Sequence, residues 1–574
     1  MARRLPALSC LRHRQPEIHN RTRGVKPRAT TPAGSAMKGS LGDSLRGRRI
    51  ETDMQIYPVG DQFANRTAKP TPWAFAMPFQ NPGYPYRWVG EAALTQSLAV
   101  QVKSRSCMSQ SLRKGENVKP IISVVALVLF GASGALAQPS DATLRLLERN
   151  RMFEPNIIQV AENVYTAIGY QVSANTMIVG DDGVIIVDPG QQMAGARQVR
   201  AAFEQITDLP IRALIYTHSH GDHVNASPAF FDPDSSIEVW ARSNYGSETA
   251  RVAAAGLTGG ARPSNTQGFD LPPEQRISVG VAIPPERPVG NQMGDGARAQ
   301  VQPVQPVEPT HTFAEDRVRL EIASVTLDLV AAPGETADQL YVWLPEQRVV
   351  FAGDNFYQSW PNVYPLRGTA RRSIRDWIRS IDSMIAEDPL HVVGGHTTPM
   401  LGNAVEVLTN YRDAMQWVVD RTIEGARQYM TPDELVEYAA LPEHLAELDY
   451  LADYYGSVWG TVRDIYAQDL GWFDGDPLNL HRESPLKQSQ RMSDLVGGVD
   501  VLMTKAREAM AADDPLGAAQ LAQHVIRLRP EDSEPKLLMA DALAIVGERT
   551  FNAPARNYTL SSSNRYRRQA TQGE

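Results

Sequence analysis

The stretch that decides the fold is residues 211–223, which read IRALIYTHSHGDH. Its first six residues, Ile211–Tyr216, form an apolar run typical of a buried strand. Its last seven hold three imidazoles and one carboxylate, at His218, His220, Asp222 and His223. Directly after a strand, this spacing lets the first two imidazoles point toward one metal ion while the carboxylate and the third imidazole reach a neighbouring one. The stretch predicts a metal site, because imidazole and carboxylate suit zinc and two ions about 3.5–4 Å apart suit a bridging hydroxide.

Short apolar segments separated by turn residues continue on both sides of this stretch, from Ile158 to about Gly402. They predict strands at Val164–Ile168, Asn175–Val179, Val184–Val187, Ile211–Tyr216, Ser236–Ala241, Val318–Val330, Leu340–Leu344, Arg348–Ala352 and Leu390–Val393. Helical periodicity appears between some of them, at Gln198–Gln205 and Ala370–Ile385. Strands covered by helices on both faces predict an α/β sandwich.

Beyond Asn403 the chain changes to helical patterning. The run Thr431–Glu434 is a helix start, with Thr as the cap and Pro at the first helical position. Further helices are predicted at Val405–Tyr429, Ser493–Met510, Pro515–Leu528 and Ser533–Val546. Earlier, Val281–Thr310 is rich in Pro, Gly and Gln and predicts a long loop, which is either a substrate-contacting lid or a variable surface insertion.

The N-terminal part of the chain differs from a folded domain. Residues 1–107 are rich in Arg, Pro, Gly and Ser and lack a sustained apolar period. From Met108 to Gln138 come basic residues, a short apolar run at Ile121–Phe130 and a small-residue stretch, which are the three parts of a secretory signal. The apolar run is too short for a comfortable membrane span, and its alternative is a buried helix.

A secretory signal deep inside a chain makes little physical sense. We therefore expect Met108 to be the native start, with residues 1–107 a non-native or disordered extension and residues 108–137 the signal peptide. The mature protein would begin near Gln138 and be exported, most simply to a bacterial periplasm. Both cysteines, Cys10 and Cys107, precede that point, so a metal in the exported part must be held by His and carboxylates.

The charge is distributed unevenly along the chain. Residues 1–107 contain 17 Lys and Arg against 6 Asp and Glu and so carry +11, while the rest of the chain carries −19 within the net charge of −8. An acidic catalytic region argues against a nucleic-acid partner, because phosphate binding is driven by clustered Lys and Arg. The expected partner is a small molecule.

The pattern H-x-H-x-D-H after a strand, preceded by a strand that ends at Asp188, resembles the signature of the metallo-β-lactamase superfamily. The resemblance implies a four-layer αββα sandwich with the metal site at one edge of its paired sheets. Where that superfamily usually has its next His, residues 332–336 read APGET, and Glu335 there resembles the class III alkylsulfatases, which bind two zinc ions. Their bridging acid, usually Glu, matches Asp354, and their last His matches His396.

Carried over residue by residue, this resemblance implies a complete set of metal ligands. One zinc ion would take His218, His220 and Glu335, the other Asp222, His223 and His396, and Asp354 would bridge them. Each of the distant three has an ordinary alternative, Glu335 as a helix-start carboxylate, Asp354 as a turn residue and His396 as a core imidazole. The implied mechanism is attack by metal-bound hydroxide, since a metal lowers the pKa of its water to about 7.

A second resemblance concerns the substrate. Residues 362–368 read NVYPLRG and are similar to the sulfatase segment Asn-Leu-Tyr-Thr-Leu-Arg-Gly. It implies that Arg367 seats the sulfate, that Asn362 and Tyr364 add donors, and that Asp222 and Arg367 serve catalysis. A cation is needed because two zinc ions with three carboxylates and a hydroxide are near neutral, and guanidinium offers a planar fork of donors. The alternative for Arg367 is a structural salt bridge. The His that usually precedes this segment is replaced by Trp360.

The helical part resembles the dimerisation domain of the same enzymes, through segments at 455–456, 470–481 and 548–558. We therefore expect a catalytic domain at 145–402, a helical dimerisation domain at 403–560, and a homodimer. The expected function is hydrolysis of alkyl or aryl sulfate esters, small anionic substrates, by a dinuclear zinc centre. Hydrolysis of a β-lactam, lactone, thioester or phosphodiester on the same scaffold stays open, as does a non-catalytic periplasmic binding module.

Overall fold

The computed structural model describes residues 139–231, 236–254, 256, 262–283 and 304–571. The predicted extension 1–107, the predicted signal peptide 108–137 and most of the loop predicted at Val281–Thr310 lie outside these residues. None of the described helices is both long and apolar enough to cross a lipid bilayer.

Thirteen described strands form two sheets. The first sheet contains β1 (Asn156–Ala161), β2 (Val164–Ile168), β3 (Asn175–Val179), β4 (Val184–Val187), β5 (Ile211–Ile215), β6 (Glu238–Arg242) and β7 (His311–Phe313), in that order. Strands β1 to β4 pair antiparallel, and β4 to β7 pair parallel. Because β4 and β5 are parallel, their carboxyl ends lie at the same edge of the sheet.

The second sheet has six strands. They are β8 (Arg317–Ile322), β9 (Val325–Ala331), β10 (Leu340–Leu344), β11 (Val349–Gly353), β12 (His391–Gly394) and β13 (Met400–Leu401), in the order β13-β12-β11-β10-β9-β8. All neighbours pair antiparallel except β11 and β12, which are parallel. The ends of β11 and β12 therefore also lie at a common edge.

The described helices are α1 (Asp141–Arg149), α2 (Met193–Phe203), α3 (Gly221–Val224), α4 (Ser247–Ala254), α5 (Arg262–Gln267), α6 (Ile374–Ala386), α7 (Ala404–Arg427), α8 (Pro432–Tyr438), α9 (Glu443–Ala446), α10 (Val458–Asp469), α11 (Pro485–Val496), α12 (Val499–Ala511), α13 (Pro515–Leu528), α14 (Ser533–Glu548) and α15 (Ala553–Thr571). Three flank the sheets: α2 covers the first sheet, and α6 and α7 cover the second. The remaining long helices follow α7 in sequence and form the helical region.

Alternating side chains hold these layers together. Ile185 and Ile215 of the first sheet pack with Leu329 and Phe351 of the second, in a core between the sheets. Ile186, the next residue along β4, points to the opposite face, where it packs in a cluster with α2. This alternation follows from the two-residue period of a strand. The predicted αββα sandwich is confirmed.

Two predicted elements were wrong in the same way, because each is really two elements. The single strand at Val318–Val330 is the hairpin of β8 and β9, which turns at Ala323 and Ser324 with φ of 52° and 64°. Positive φ usually signals itself through Gly or Asn, and neither residue type stands there. The single helix at Ser493–Met510 breaks between α11 and α12 at Gly497, whose φ of 99° ends a helix.

Other helices of the helical region were predicted, but α9, α10 and α15 were not. Helix α13 has the predicted bounds, and Thr431 caps α8 in a capping box with Glu434. The long C-terminal helix α15 was not predicted as a helix. It packs along α14 and against α5, where Asn557 donates from Nδ2 to the Thr266 carbonyl at 3.3 Å.

Candidate metal centre

Strand ends carry the predicted ligands to one edge of the sandwich. The His-rich run 218–223 follows β5, and Asp354 follows β11 directly. His396 comes two residues after β12, and Glu335 lies in the turn after β9. A hydrogen bond of 2.8 Å from the Leu340 amide to the Thr217 carbonyl joins the two sheets at this edge. Residues separated by up to 178 positions therefore meet.

The first group of ligand atoms belongs to His218, His220 and Glu335. His218 Nε2 lies 3.0 Å from His220 Nδ1, and His220 Nδ1 lies 3.7 Å from Glu335 Oε1. Asp354 Oδ2 lies 3.9 Å from His218 Nε2. Atoms of His220, Glu335 and Asp354 all lie within 4.8 Å of one another, a spacing that one metal ion can span.

The second group contains Asp222, His223 and His396, whose ligand atoms also lie within 4.8 Å of one another. Asp222 Oδ2 is 3.9 Å from His223 Nε2 and 3.6 Å from His396 Nε2. Asp354 stands between the groups, with Oδ1 at 3.3 Å from His223 Nε2 and Oδ2 at 3.1 Å from His396 Nε2. All seven predicted ligands thus come together. Asp354 faces both groups, and His223 also lies within 4.8 Å of His218 and Asp354.

Hydrogen bonds at the far side of two imidazoles fix which nitrogen faces the cluster. His223 Nδ1 lies 2.9 Å from Asp188 Oδ2, and His396 Nδ1 lies 2.9 Å from the Val172 carbonyl. Asp188 is held in turn by the amide and the hydroxyl of Thr217, both at 2.8 Å. With Nδ1 as the donor, each ring turns Nε2 toward the cluster, which is how supporting residues orient metal-binding imidazoles.

Glu335 has two buried partners that the sequence reasoning missed. Arg372 Nη1 donates to Glu335 Oε2 at 2.6 Å, and Tyr357 Oη donates to the same oxygen at 3.4 Å. The carboxylate therefore uses Oε2 for support and turns Oε1 toward His220. No sequence motif pointed to either partner.

The crowding shifts the pKa values of the cluster. Burial, followed by repulsion from His223, lowers the pKa of His218 to about 4. Burial also opposes a charge on His223, but the Asp354 and Asp188 carboxylates overcome it and raise the pKa of His223 well above its ordinary value. Burial raises the pKa of Glu335 to about 7, although Arg372 opposes this. Such a concentration of acids and imidazoles without water is what a divalent cation would neutralise.

Unpaired buried atoms test whether the residues fit a metal. His223 Nε2 and Asp354 Oδ1 are buried and have no hydrogen-bond partner in the described part of the chain. A Cβ added to Gly395 would lie 1.9 Å from Asp354 Oδ1 and 3.0 Å from His223 Cε1, so glycine leaves the room that the cluster needs. Nitrogen and carboxylate oxygen donors without thiolates suit zinc. The residues fit a divalent metal ion.

The predicted substrate residues lie on the segment 362–368. Arg367 is half-buried, and its positive charge acts on His220, Glu335 and Tyr455, so it lies within electrostatic reach of the first group. Within the described residues Nη1 of Arg367 donates to the neighbouring Gly368 carbonyl, at 3.4 Å. Asn362 is buried, whereas Tyr364 is 58% exposed.

Trp360, which with Pro361 stands where the resemblance implies a His, contacts the helical region. Trp360 is fully buried, and its Nε1 donates to Thr461 Oγ1 at 2.9 Å. Beside it, Tyr455 from the helical region packs edge-on to Tyr357, with ring centroids 5.6 Å apart. Burial raises the pKa of Tyr455, so its hydroxyl keeps its proton beside the cluster. In the sequence, Tyr455 stood out only as part of the segment 455–456, which resembles the dimerisation domain.

Two sequence patterns match the chain. The metallo-beta-lactamase superfamily matches residues 169–396, which include the seven clustered residues. The alkyl sulfatase dimerisation pattern matches residues 431–569 in the helical region.

Similar proteins include a linear primary-alkylsulfatase from Pseudomonas, 33% identical over 393 residues, which are 67% of this chain and 72% of the relative. The alkyl/aryl-sulfatase BDS1 of Saccharomyces cerevisiae is 25% identical over 70% of this chain and 62% of its own length. The solved structure of the inverting sec-alkylsulfatase Pisa1 from Pseudomonas superposes with a TM-score of 0.66 at 23% identity, over 74% of this chain and 67% of that one. The structural likeness extends the shared fold to both regions. The chain belongs to the alkylsulfatase branch of the metallo-β-lactamase superfamily.

Proposed function

We propose that this chain is a zinc-dependent hydrolase that cleaves alkyl or aryl sulfate esters at the cluster of seven ligands. The observation that carries the proposal is the convergence of this complete donor set beside Arg367, in a chain 33% identical to a linear primary-alkylsulfatase. This chain covers 72% of the length of that relative and 61–62% of the length of three other alkylsulfatases. The substrate class is therefore part of our proposal.

Two zinc ions would be held as the sequence predicts. The first would be held by His218, His220 and Glu335, the second by Asp222, His223 and His396, with Asp354 shared between them. Zinc ions bound there would acidify water to a pKa of about 7 and so supply a hydroxide nucleophile at neutral pH. The protein's part is to hold each imidazole in one tautomer, as Asp188 does for His223.

Arg367 would bind the anionic end of the substrate. The second cation at this edge, Arg372, is already committed to Glu335. Arg367 is half-buried and close enough to depress the pKa of His220, after burial and His218. Its planar fork of donors can contact two sulfate oxygens at once, which orients the ester for attack and stabilises the charge that develops on it.

The test is turnover of the purified zinc-loaded protein on a panel of sulfate esters, phosphodiesters, thioesters, lactones and lactams. We expect sulfate turnover in the wild type and none in His220→Ala, because the first metal loses a ligand. Arg367→Ala should lower kcat/KM by about 10²–10³-fold, the usual effect of removing one donor to a developing oxyanion. His444→Ala, an exposed imidazole on α9, is the matched control and should retain full activity.

Three results would contradict the proposal. Turnover confined to a lactone, lactam, thioester or phosphodiester would keep the metal site and change the substrate. Two bound zinc ions without turnover of any ester would favour a non-catalytic periplasmic binding module. Robust sulfatase activity in His220→Ala would reject the assigned ligands themselves.

We also propose that two copies pair through the helical region. Three large apolar side chains there are open to solvent, Leu470, Trp472 and Leu478, at 57%, 76% and 77% exposure. Contiguous exposed apolar surface is typical of an interaction site, and the dimerisation pattern covers these residues. Sedimentation should give twice the chain mass, falling to one chain in Trp472→Glu but not in Leu144→Glu, a half-exposed leucine on α1. A monomeric wild type would reject the pairing.

The proposed location is the periplasm, and it rests on residues 108–137 alone. Expression of the chain from Met108 in a bacterium should yield an exported protein whose first residue is near Gln138. Recovery of uncleaved protein in the cytoplasm would contradict export.

A further inference from the structure

Two buried side chains connect the metal-site carboxylate Glu335 to the substrate segment 362–368. Arg372 Nη1 donates both to Glu335 Oε2 and to the Asn362 carbonyl, each at 2.6 Å. Tyr357 Oη donates to the same Glu335 oxygen at 3.4 Å and accepts from the Asn362 amide at 2.7 Å. Both polar backbone groups of Asn362 are therefore held by atoms whose other contact is Glu335.

This network is buried from end to end. The side chains of Arg372 and Glu335 are 1% and 2% exposed, and Tyr357 is fully buried. In such surroundings a charged pair that loses one partner leaves an uncompensated charge, so the pair forms and breaks as a unit. A movement of Glu335 must therefore move Arg372 or leave its buried guanidinium without a carboxylate partner.

The network reaches the residues proposed to contact substrate. Asn362 begins the segment that carries Arg367, and its two backbone hydrogen bonds set where that segment leaves the core. Glu335 shares its two oxygens between tasks, with Oε2 on the network and Oε1 toward His220. An ion held at Oε1 would fix the carboxylate, and through it the start of the segment.

The geometry points to Arg372 as a positioning residue that couples metal binding at Glu335 to the placement of the substrate segment, with Tyr357 as the second connection. The inference rests on the proposed function only in taking Glu335 as a metal ligand. Coupling between two sites is reciprocal. Zinc should therefore order the segment 362–368, and breaking the network should weaken zinc binding even though every ligand is intact.

The experiment uses zinc alone, without any substrate, on the full-length protein and three variants. Arg372→Gln removes the charge from the network, and Tyr357→Phe removes its hydroxyl while keeping the ring and the buried ion pair. Arg371→Gln is the matched control, because it removes an exposed guanidinium one residue away that makes no recorded contact with Glu335 or Asn362. Zinc affinity is measured by competition with a chromophoric chelator, and backbone amide hydrogen exchange of 362–368 is measured with and without zinc.

In the wild type and in Arg371→Gln we expect zinc to slow exchange in 362–368 by tenfold or more. In Arg372→Gln zinc affinity should fall about 10- to 100-fold, the usual effect of removing a partner of a metal ligand. In Tyr357→Phe, which keeps the charge balance of the core, zinc should protect the segment clearly less than in the wild type. If Arg372 and Tyr357 served folding alone, the protection of residues 362–368 from hydrogen exchange would not depend on zinc.

The coupling is refuted if zinc protects 362–368 equally in the wild type and in folded Tyr357→Phe while Arg372→Gln binds zinc within twofold of the wild type. If Arg372→Gln does not fold, the Tyr357→Phe comparison decides alone. Neither readout involves an ester, so a failed sulfatase assay leaves this result standing, and a failed coupling leaves the sulfatase proposal standing.

Discussion

Asp188→Asn should weaken metal binding although Asp188 is not a predicted ligand. Its Oδ1 accepts from the Thr217 amide, and its Oδ2 accepts from the Thr217 hydroxyl and faces His223 Nδ1. An asparagine can accept with only one of these two atoms. Whichever way the amide turns, its NH₂ group meets a donor or forces His223 into the tautomer that protonates Nε2, the atom that faces the cluster.

The size of the effect follows from these contacts. A hydrogen bond to a charged group contributes about 1.5–3 kcal/mol, and loss of a residue that orients a metal ligand costs about 10- to 100-fold in metal affinity. That range equals about 1.4–2.7 kcal/mol at tenfold per 1.4 kcal/mol. The backbone contributes little, because Asp188 has φ of 54° and asparagine tolerates this left-handed conformation as well as aspartate does.

The assay is zinc competition with a chelator, followed by turnover at saturating zinc. We expect the second zinc site, which contains His223, to lose affinity 10- to 100-fold and turnover to recover partly in excess zinc. Asp328→Asn is the matched control, a buried carboxylate paired at 2.8 Å with both Arg317 and Arg319, far from the ligands in the hairpin of β8 and β9. That variant should lose stability and keep its zinc affinity. Asp188→Asn protein that binds both ions within twofold of the wild type would refute the tautomer argument.

Two further predictions concern space and pH. Gly395→Ala should abolish zinc binding at the second site, seen as one zinc per chain by metal analysis, because the new Cβ would lie 1.9 Å from Asp354 Oδ1; two ions per chain would contradict this. Burial raises the pKa of Asp453 to about 7, so the folded state binds a proton that the unfolded state releases near pH 4, and this contribution to stability is lost as pH rises toward 7. In chelator-treated protein Asp453→Asn should therefore be more stable than the wild type at pH 8, by on the order of 1 kcal/mol or more, with a smaller gain at pH 6 in urea unfolding; an equal gain at both pH values would contradict the raised pKa.

Local patterns predicted most of the elements. Strands β2, β3, β4 and β10 and helix α13 have the predicted bounds, because alternation in a strand and caps in a helix are properties of contiguous residues. The turn between β8 and β9 was missed because the backbone adopts a positive φ at Ala323 and Ser324, where no Gly or Asn marks it.

The sequence by itself determined the dense part of the site. The run from His218 to His223 needs only one strand end to place four donors side by side, so its chemistry could be inferred without a fold. Glu335, Asp354 and His396 were assigned through family resemblance, since no spacing rule connects them to that run.

Only the tertiary structure decided what supports those ligands. Arg372 lies 37 residues from Glu335, and Val172 lies 224 residues from His396, the ring that its carbonyl orients. A buried carboxylate or imidazole must satisfy its second polar atom somewhere, but any buried donor or acceptor of the right shape will serve. Which residue does so depends on how the two sheets and the helical region pack, and that information is absent from any short stretch of the chain.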